Sequence, residues 1–232
     1  MSADVVDTYK RQAAERAVTF VESGMIVGLG HGSTAAFAVE RIATLLLEGA
    51  LSDILAVPCS LEVARAAEGL GIPLTSLDEY PVVELTIDGA DEVDPNLDLI
   101  KGGGGALLRE KIVATASRRE VIVVDEEKLS DRLGMRFALP VEIVPFARTT
   151  EMRFLESLGA EVVVRGGGTP FLTDAGNLIL DCRWPVIEDA YELAARLDRR
   201  PGIVGHGLFL GLATDLVVAG PTGVLHSVRL NA

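Results

Sequence analysis

The residues best suited to chemistry lie in one short stretch, between positions 88 and 111. Two carboxylates stand three positions apart, Asp88 and Asp91. Lys101 then opens the glycine run 102–105, and Glu110 follows it. A carboxylate can take a proton from carbon and return it, and glycines let backbone N–H groups approach an anion closely. The stretch therefore predicts an acid/base site beside an anion-binding loop.

The elements around these residues are expected to place them at one edge of a sheet. Residues 82–87 form an apolar run typical of a buried strand, so Asp88 lies at its carboxyl end. Open α/β sheets have their ligand crevice at that end of the strands. Glu110 falls in the first turns of a helix predicted over 106–118, where a glutamate is usually a solvated residue. The neighbouring lysine and aspartates favour a catalytic role for it instead.

A second glycine loop follows a strand predicted over 25–29. Gly30-His-Gly-Ser-Thr-Ala35 satisfies the dinucleotide pattern G-x-G-x-x-[GA], but no acidic residue ends the next strand as that fingerprint requires. The hydroxyls of Ser33 and Thr34, with the N–H groups of a helix start, suit a phosphate monoester better. A tight turn without a ligand is the alternative. Because the glycines 102–105 do not match G-x-x-x-x-G-K-[ST], a nucleotide P-loop is not expected there.

Composition narrows the classes of ligand and partner. The 232-residue chain carries a formal net charge of -13, which argues against nucleic acid and against an anionic membrane surface. An acidic protein that binds a phosphorylated metabolite must concentrate its cations at the site. The chain has 21 lysines and arginines together, and the lysines are Lys10, Lys101, Lys111 and Lys128. Lysine is a compact, tunable charge, so we assign chemistry to Lys101 and Lys128, and leave Lys111 as catalytic or structural.

Metal and redox chemistry have no sequence pattern to support them. Cys59 and Cys182 fit no CxxC spacing, and no group of His, Cys and carboxylate residues has ligand spacing. We therefore expect no metal and no cofactor. No apolar run reaches the roughly 18 residues of a membrane span, and no basic and then apolar segment opens the sequence. A cytoplasmic protein is the simplest expectation.

The order of predicted elements changes along the chain. Strands and helices alternate at first, which predicts an α/β domain with an open parallel (Rossmann-like) sheet. From about residue 132 the order becomes β-α-β-β-α-β, which is ferredoxin-like. We therefore predict a main α/β domain of residues 1–131 and 207–232 and an inserted ferredoxin-like α+β domain of residues 132–206. Within the main domain we expect a first helix over 4–23 and a strand near 72–75.

These motifs resemble the A-type ribose-5-phosphate isomerase family over essentially the whole chain. The most specific are Asp88-Gly-Ala-Asp-Glu92, Lys101-Gly-Gly-Gly-Gly-Ala-Leu107, Arg109-Glu110-Lys111 and the Gly-x-Gly-Ser-Thr loop that ends at Thr34. The resemblance implies an aldose–ketose isomerase that interconverts D-ribose 5-phosphate and D-ribulose 5-phosphate, in the non-oxidative branch of the pentose phosphate pathway. It implies Glu110 as the catalytic base and a role for Asp88 in opening the furanose ring. The implied substrate-binding residues are His31, Gly32, Ser33, Thr34, Asp88, Gly89, Ala90, Asp91, Lys101, Gly102, Gly103, Gly104, Lys128 and Lys10.

The chemistry of the residue types supports the same reaction independently of the resemblance. Isomerisation moves a proton between C1 and C2 through an enediolate, and one carboxylate can perform both transfers. The developing oxyanion needs a fixed cation and N–H donors, which Lys101 and its glycine loop supply. Asp88 and Asp91 can hold the hydroxyl groups of the sugar.

The chain departs from the family pattern at two positions, and two alternative functions fit the same residues. The family usually has threonine at the position of His31 and a hydroxyl residue near Val63, so the family's affinity for phosphate is not carried over to this chain. A non-catalytic sugar-phosphate sensor, or a CoA transferase-like enzyme whose glutamate is a nucleophile, would share the α/β fold. An assay with ribose 5-phosphate separates the three. A homodimer or homotetramer is expected from general symmetry preferences.

Overall fold

The computed structural model describes residues 3–229, and the chain forms two compact units. Unit 1 comprises the chain up to Ala90, Arg109–Lys128 and the chain from Gly211, and unit 2 comprises Asp91–Leu108 and Leu129–Leu210. This grouping by contacts differs from the predicted division at 132 and 206, because residues 91–108, 129–131 and 207–210 also group with the inserted part. The reason is strand pairing: Leu99–Ile100 pairs with Leu208–Phe209 of the same unit.

The helices and strands are labelled in chain order. They are α1 (Ala3–Val18), β1 (Ile26–Leu29), α2 (Ser33–Leu47), β2 (Leu55–Pro58), α3 (Leu61–Gly69), β3 (Leu85–Asp88), β4 (Glu92–Val93), β5 (Leu99–Ile100), α4 (Leu107–Ala116), β6 (Glu120–Asp125), β7 (Leu139–Ile143), α5 (Arg148–Ser157), β8 (Glu161–Val164), β9 (Leu178–Arg183), α6 (Ala190–Leu197), β10 (Ile203–His206), β11 (Leu208–Phe209), β12 (Asp215–Gly220) and β13 (Gly223–Val228). Short 3-10 helices cover Glu126–Lys128 and Pro145–Ala147.

Unit 1 contains a six-stranded sheet in the order β13-β12-β6-β3-β1-β2. The strands from β12 to β2 are parallel, and β13 joins as an antiparallel edge strand. Alternate residues of the strands face opposite sides. Val27 and Ala56 pack in the core that α1, α2 and α3 complete, whereas Ile26 and Val57 pack with Val113 of α4. Helices on both faces confirm the predicted open parallel sheet.

Unit 2 contains a four-stranded antiparallel sheet in the order β10-β7-β9-β8. With α5 and α6 the element order is β-α-β-β-α-β, so the predicted ferredoxin-like arrangement is confirmed. Its core is formed by residues such as Val141, Leu155, Leu180 and Leu197. A separate three-stranded sheet, β11-β5-β4, carries the start of the glycine loop.

Two predicted elements differ from the structure. Helix α1 ends at Val18 rather than residue 23, because the next three N–H groups donate to carbonyls three residues earlier and tighten the chain into a turn. Residues 72–75 form only an isolated bridge between Leu74 and Ala56, since Pro73 has no N–H to donate to a ladder. Within residues 3–229, no helix is both long and apolar enough to cross a membrane.

Candidate active site

The candidate site of unit 1 lies where the strand order of its sheet reverses. Strand β1 has β2 on one side and β3 on the other, and ligands of open α/β sheets bind at such switch points. The His31 N–H, after β1, donates to Oδ1 of Asp88 at 3.1 Å, and the Gly89 N–H donates to the same oxygen at 2.7 Å. Asp88, which is fully buried, is therefore held by two backbone donors.

Gly30 is required at this contact. A Cβ on Gly30 would lie 2.3 Å from Asp88 Oδ1, and this distance is too short for any side chain at position 30. The glycine spacing that suggested a phosphate loop thus also makes room for the aspartate of the neighbouring strand.

The amino terminus of α2 is arranged to receive an anion. Gly32 is the N-cap, with φ of 111°, and no side chain caps the helix. The first N–H groups of α2 therefore keep their donor capacity at the positive end of the helix dipole. A cavity of about 380 Å³ opens beside this turn and is lined by Gly30–Ser33 and by apolar residues of α2 and α3 such as Val39 and Val63. This geometry suits a phosphate monoester.

His31 contacts a neighbouring helix cap as well as the loop. Its Nδ1 lies 3.0 Å from Oγ of Ser60, and the same Oγ accepts the N–H of Val63 at 3.0 Å as the N-cap of α3. The missing hydroxyl at Val63 therefore does not weaken the cap, because only its backbone is used. With Nδ1 engaged by Ser60, Nε2 is the ring nitrogen that can reach a ligand.

Unit 2 has a candidate site of its own, in the glycine loop after β5. The Gly103 N–H donates to Oδ2 of Asp91 at 2.7 Å, and a Cβ on Gly103 would lie 2.6 Å from Oδ1 of the same carboxylate. Lys101 is 2% exposed, its Nζ lies 5.5 Å from the centroid of the Phe209 ring, and its N–H donates to the Gly207 carbonyl at 2.9 Å. The glycine loop therefore begins at a buried cation, Lys101, and its backbone packs closely against the Asp91 carboxylate.

The remaining predicted residues have different settings. Glu110 is 3% exposed and shares the buried face of α4 with Leu107, Val113 and Ala114, as the i, i+3 and i+4 spacing of a helix requires. Glu110 is therefore a buried residue of α4 rather than a solvated first-turn residue. Lys128 is half-buried and follows β6 at the carboxyl edge of the sheet that also carries Asp88.

Lys10 is the predicted site residue with the least support. It lies on α1, and its Nζ contacts Asp7 Oδ1 at 3.5 Å, a weak pair on the same helix. This contact does not test the predicted role of Lys10 in binding substrate, which stays a prediction.

One cluster at the glycine loop was missed from the sequence. Arg165, which follows β8, donates through Nη1 to the carbonyls of Gly102 at 2.8 Å and Gly103 at 3.1 Å. Its Nε and Nη2 donate to Asp181 at 3.0 and 2.5 Å. The signal available in the sequence was strand alternation, which puts an arginine and an aspartate on the same face of two strands.

The titratable groups also bear on metal binding. Among residues 3–229, no three His, Cys, Asp or Glu residues group as ligands for an ion. Taken unit by unit, the doubly wound sheet, the two glycine-rich loops and the buried carboxylates are typical of an α/β enzyme that acts on a phosphorylated metabolite.

Comparisons with known proteins identify the family. The family model for ribose 5-phosphate isomerase A (phosphoriboisomerase A) matches residues 55–223. The ribose-5-phosphate isomerase A of Desulfatibacillum aliphaticivorans is 56% identical over 220 residues, covering 94% of this chain and 96% of the relative. That of Chloroflexus aurantiacus is 58% identical over 228 residues, covering 97% and 95%. The chain belongs to the ribose-5-phosphate isomerase A family.

Solved structures agree with that assignment. A D-ribose-5-phosphate isomerase in complex with phospho-erythronic acid superposes with a TM-score of 0.94 at 37% identity, covering 97% of this chain and 99% of the other. The ribose 5-phosphate isomerase of Plasmodium falciparum gives a TM-score of 0.94 at 38% identity, covering 97% and 100%. Both likenesses extend over the two units described above.

Proposed function

We propose that Glu110 is the base of an aldose–ketose isomerisation in which Lys101 and the glycine loop stabilise the intermediate. The enzyme interconverts D-ribose 5-phosphate and D-ribulose 5-phosphate. The observation that carries the proposal is the burial of Glu110, at 3% exposure, on the helix that directly follows the glycine loop. A carboxylate kept away from bulk water in a family of proton-transfer enzymes has a catalytic use that a surface glutamate lacks.

The proposed steps balance protons and electrons. The Glu110 carboxylate takes the proton from C2 of the open-chain aldose, and the electron pair of that C–H bond forms the C1–C2 double bond while O1 becomes the oxyanion. The proton of the C2 hydroxyl then moves to O1. The protonated Glu110 returns its proton to C1, and C2 becomes the carbonyl of the ketose. One carboxylate thus serves both transfers, and such general-base catalysis contributes roughly 10²–10⁴-fold.

The other predicted residues are proposed to bind substrate. The α2 amino terminus, with His31, Gly32, Ser33 and Thr34, would hold the phosphate. Asp88, with Gly89 and Ala90, and Asp91 would hold the sugar hydroxyls, and Asp88 would assist ring opening. Lys101 and the N–H groups of Gly102, Gly103 and Gly104 would face the oxyanion, where each donor contributes on the order of 10²–10³-fold. Lys128 would add a cation at the carboxyl edge of the sheet.

Phospho-erythronic acid, present in the solved complex of a relative, is a useful probe for this proposal. Its carboxylate can imitate the charge of an enediolate, and its phosphate would occupy the α2 loop. We expect it to bind this enzyme as a competitive inhibitor.

The replacement Glu110→Gln tests the proposal directly, because it keeps the size of the side chain but removes the basic oxygen. Turnover should fall by roughly 10³-fold, exchange of the C2 proton with solvent should fall in parallel, and affinity for phospho-erythronic acid should change little. Glu68→Gln, at an exposed position of α3, is the matched control and should behave as the wild type. Wild-type proton exchange in Glu110→Gln would move the base elsewhere, with Asp88 or Asp91 as first candidates.

The same assay separates the alternatives. A non-catalytic sensor would bind ribose 5-phosphate without proton exchange, and a CoA transferase-like enzyme would need an acyl donor. Membership of an isomerase family favours neither.

The setting of the enzyme is also part of the proposal. Its place would be the non-oxidative branch of the pentose phosphate pathway, in the cytoplasm, because a doubly charged phosphate ester does not cross a bilayer unaided. It would work without metal or cofactor, since Lys101 supplies the cation. We propose a homodimer or homotetramer, which sedimentation equilibrium would distinguish from a monomer.

A further inference from the structure

We propose that Arg165 is a positioning residue that sets the orientation of the glycine loop, with Asp181 as its anchor. The inference rests on the proposed role of Lys101–Gly104 in binding the enediolate. Arg165 uses one side of its guanidinium for Asp181 and the remaining nitrogen for the Gly102 and Gly103 carbonyls. All of these groups belong to unit 2.

Peptide geometry explains why these two contacts matter. A trans peptide is planar, and its C=O and N–H point in opposite directions. The Gly102 carbonyl shares its peptide with the Gly103 N–H, and the Gly103 carbonyl shares its peptide with the Gly104 N–H. With both carbonyls drawn to Arg165, both N–H groups must point to the opposite side of the loop.

The observed contacts follow this rule. The Gly103 N–H donates to Asp91 at 2.7 Å, on the side away from Arg165. The Gly104 N–H takes part in no hydrogen bond within residues 3–229, and Gly104 is exposed. One donor thus fixes an aspartate that we propose binds sugar hydroxyls, and the next is turned to the same side, ready for an oxyanion.

The glycine loop holds only part of this orientation by itself, through the Gly105 N–H, which donates to the Gly102 carbonyl at 3.0 Å. Gly102 has φ of 103° and Gly105 has φ of 87°, and glycine populates many backbone conformations at similar energy. Arg165 replaces that freedom with a link to a sheet. Its own N–H donates to the Ile179 carbonyl of β9 at 2.9 Å, and Asp181 stands opposite Val163 of β8, so the two charged side chains share one face diagonally.

The ion pair of Arg165 and Asp181 is partly shielded from solvent and has a specific geometry. The side chains of Arg165 and Asp181 are 16% and 27% exposed, so solvent competes for their hydrogen bonds only in part. The arginine fork can hold a carboxylate through two nitrogens and still reach two carbonyls, which a lysine cannot do.

Arg165→Gln should therefore lower kcat by about 10- to 100-fold, because a donor misplaced by about 1 Å loses a catalytic effect of this size. KM and the affinity for inorganic phosphate should change by less than about threefold, since the phosphate loop lies in unit 1. Arg165→Lys should recover only part of the loss, because lysine restores one bond but not the fork.

Arg200→Gln is the matched control. Arg200 makes the same two-nitrogen pair with Glu151 in unit 2, at 2.9 and 3.0 Å, but donates to no carbonyl of the glycine loop. Both glutamine variants should lose a similar amount of stability to urea, and only Arg165→Gln should lose turnover. Equal kcat in the two variants would overturn the inference and assign Arg165 to stability alone.

The outcome is separable from that of the proposed function. If wild-type enzyme isomerises ribose 5-phosphate and Glu110→Gln does not, a normal kcat in Arg165→Gln refutes the positioning role only. If Glu110→Gln keeps its activity, the proposed base is wrong, whichever result Arg165→Gln gives.

Discussion

Replacing Asp215 with asparagine should destabilise the enzyme at neutral pH and progressively less in acid, while turnover is unchanged. Asp215 begins β12 and accepts bonds from Arg119 at 2.8 and 2.7 Å, from Thr214 at 2.7 Å and from His226 at 2.7 Å. Burial on its own would raise the pKa of Asp215, but hydrogen bonds from Arg119, Thr214 and His226 outweigh it and lower the pKa to about 2.

The magnitude follows from the shift. A fall from the ordinary 3.8 to about 2 corresponds to an upper limit of about 2.5 kcal/mol. Arg119 is 35% exposed, and solvent screening reduces the expected contribution to about 1–2 kcal/mol. Because the pKa of Asp215 is depressed in the folded state, the stabilisation is complete above the unfolded pKa and is lost as pH falls towards 2.

Urea unfolding of wild type and Asp215→Asn at pH 7, 5 and 3 is the test. The difference in the free energy of unfolding should be largest at pH 7, and roughly half of it should be gone at pH 3. Asp78→Asn, at an exposed position, is the control and should show no such trend. A difference that is the same at all three pH values would refute the reasoning. Reduced kcat would also contradict it, because Asp215 lies at the amino edge of the parallel strands, opposite the edge that carries Asp88.

Four further outcomes are expected. His31→Thr should keep kcat and raise KM for ribose 5-phosphate by less than about 10-fold, because one hydrogen bond is exchanged for another; a large fall in kcat would give His31 a role in the chemistry. Ser60→Ala should lower the free energy of unfolding by about 1 kcal/mol through loss of the α3 cap, measured in urea. Lys101→Ala should reduce turnover at least 10²-fold in a coupled isomerase assay, and near-normal activity would mean that another group meets the oxyanion. Exhaustive chelation with EDTA should leave the rate unchanged, and restoration of a lost rate by a divalent ion would contradict the proposed chemistry.

Local patterns in the sequence were enough for most of the fold. The ferredoxin-like order could be predicted because Gly159 and the turn 173–177 mark the ends of its elements. The parallel sheet could be predicted because its strands are short apolar runs between helices. The strand expected near 72–75 failed where Pro73 removes a donor, although proline was visible in the sequence.

Pairing between distant segments could not be predicted in the same way. Residues 91–108 join unit 2 because β5 pairs with β11, which is more than a hundred positions away and has no local signal. The residues proposed for catalysis were found because they cluster in the sequence. Arg165 was missed because alternation along β8 predicts only the face of the sheet on which its side chain lies. Its role depends on which loop contacts that face.

The contacts of Gly30 and Gly103 have a consequence for how sequences of this kind can vary. At each position the absence of a Cβ leaves room for the side chain of an aspartate, Asp88 in unit 1 and Asp91 in unit 2. At Gly103 a larger residue is accommodated only when the Asp91 side chain shrinks as well, and that double change removes a proposed substrate contact. At Gly30 a Cβ would also lie 2.5 Å from Cα of Asp88, so a shorter side chain at position 88 does not make room for it. We therefore expect no neutral substitutions at the two glycines or at the two aspartates. A saturation library should recover the glycines as strictly as the aspartates, although neither glycine carries a reactive group.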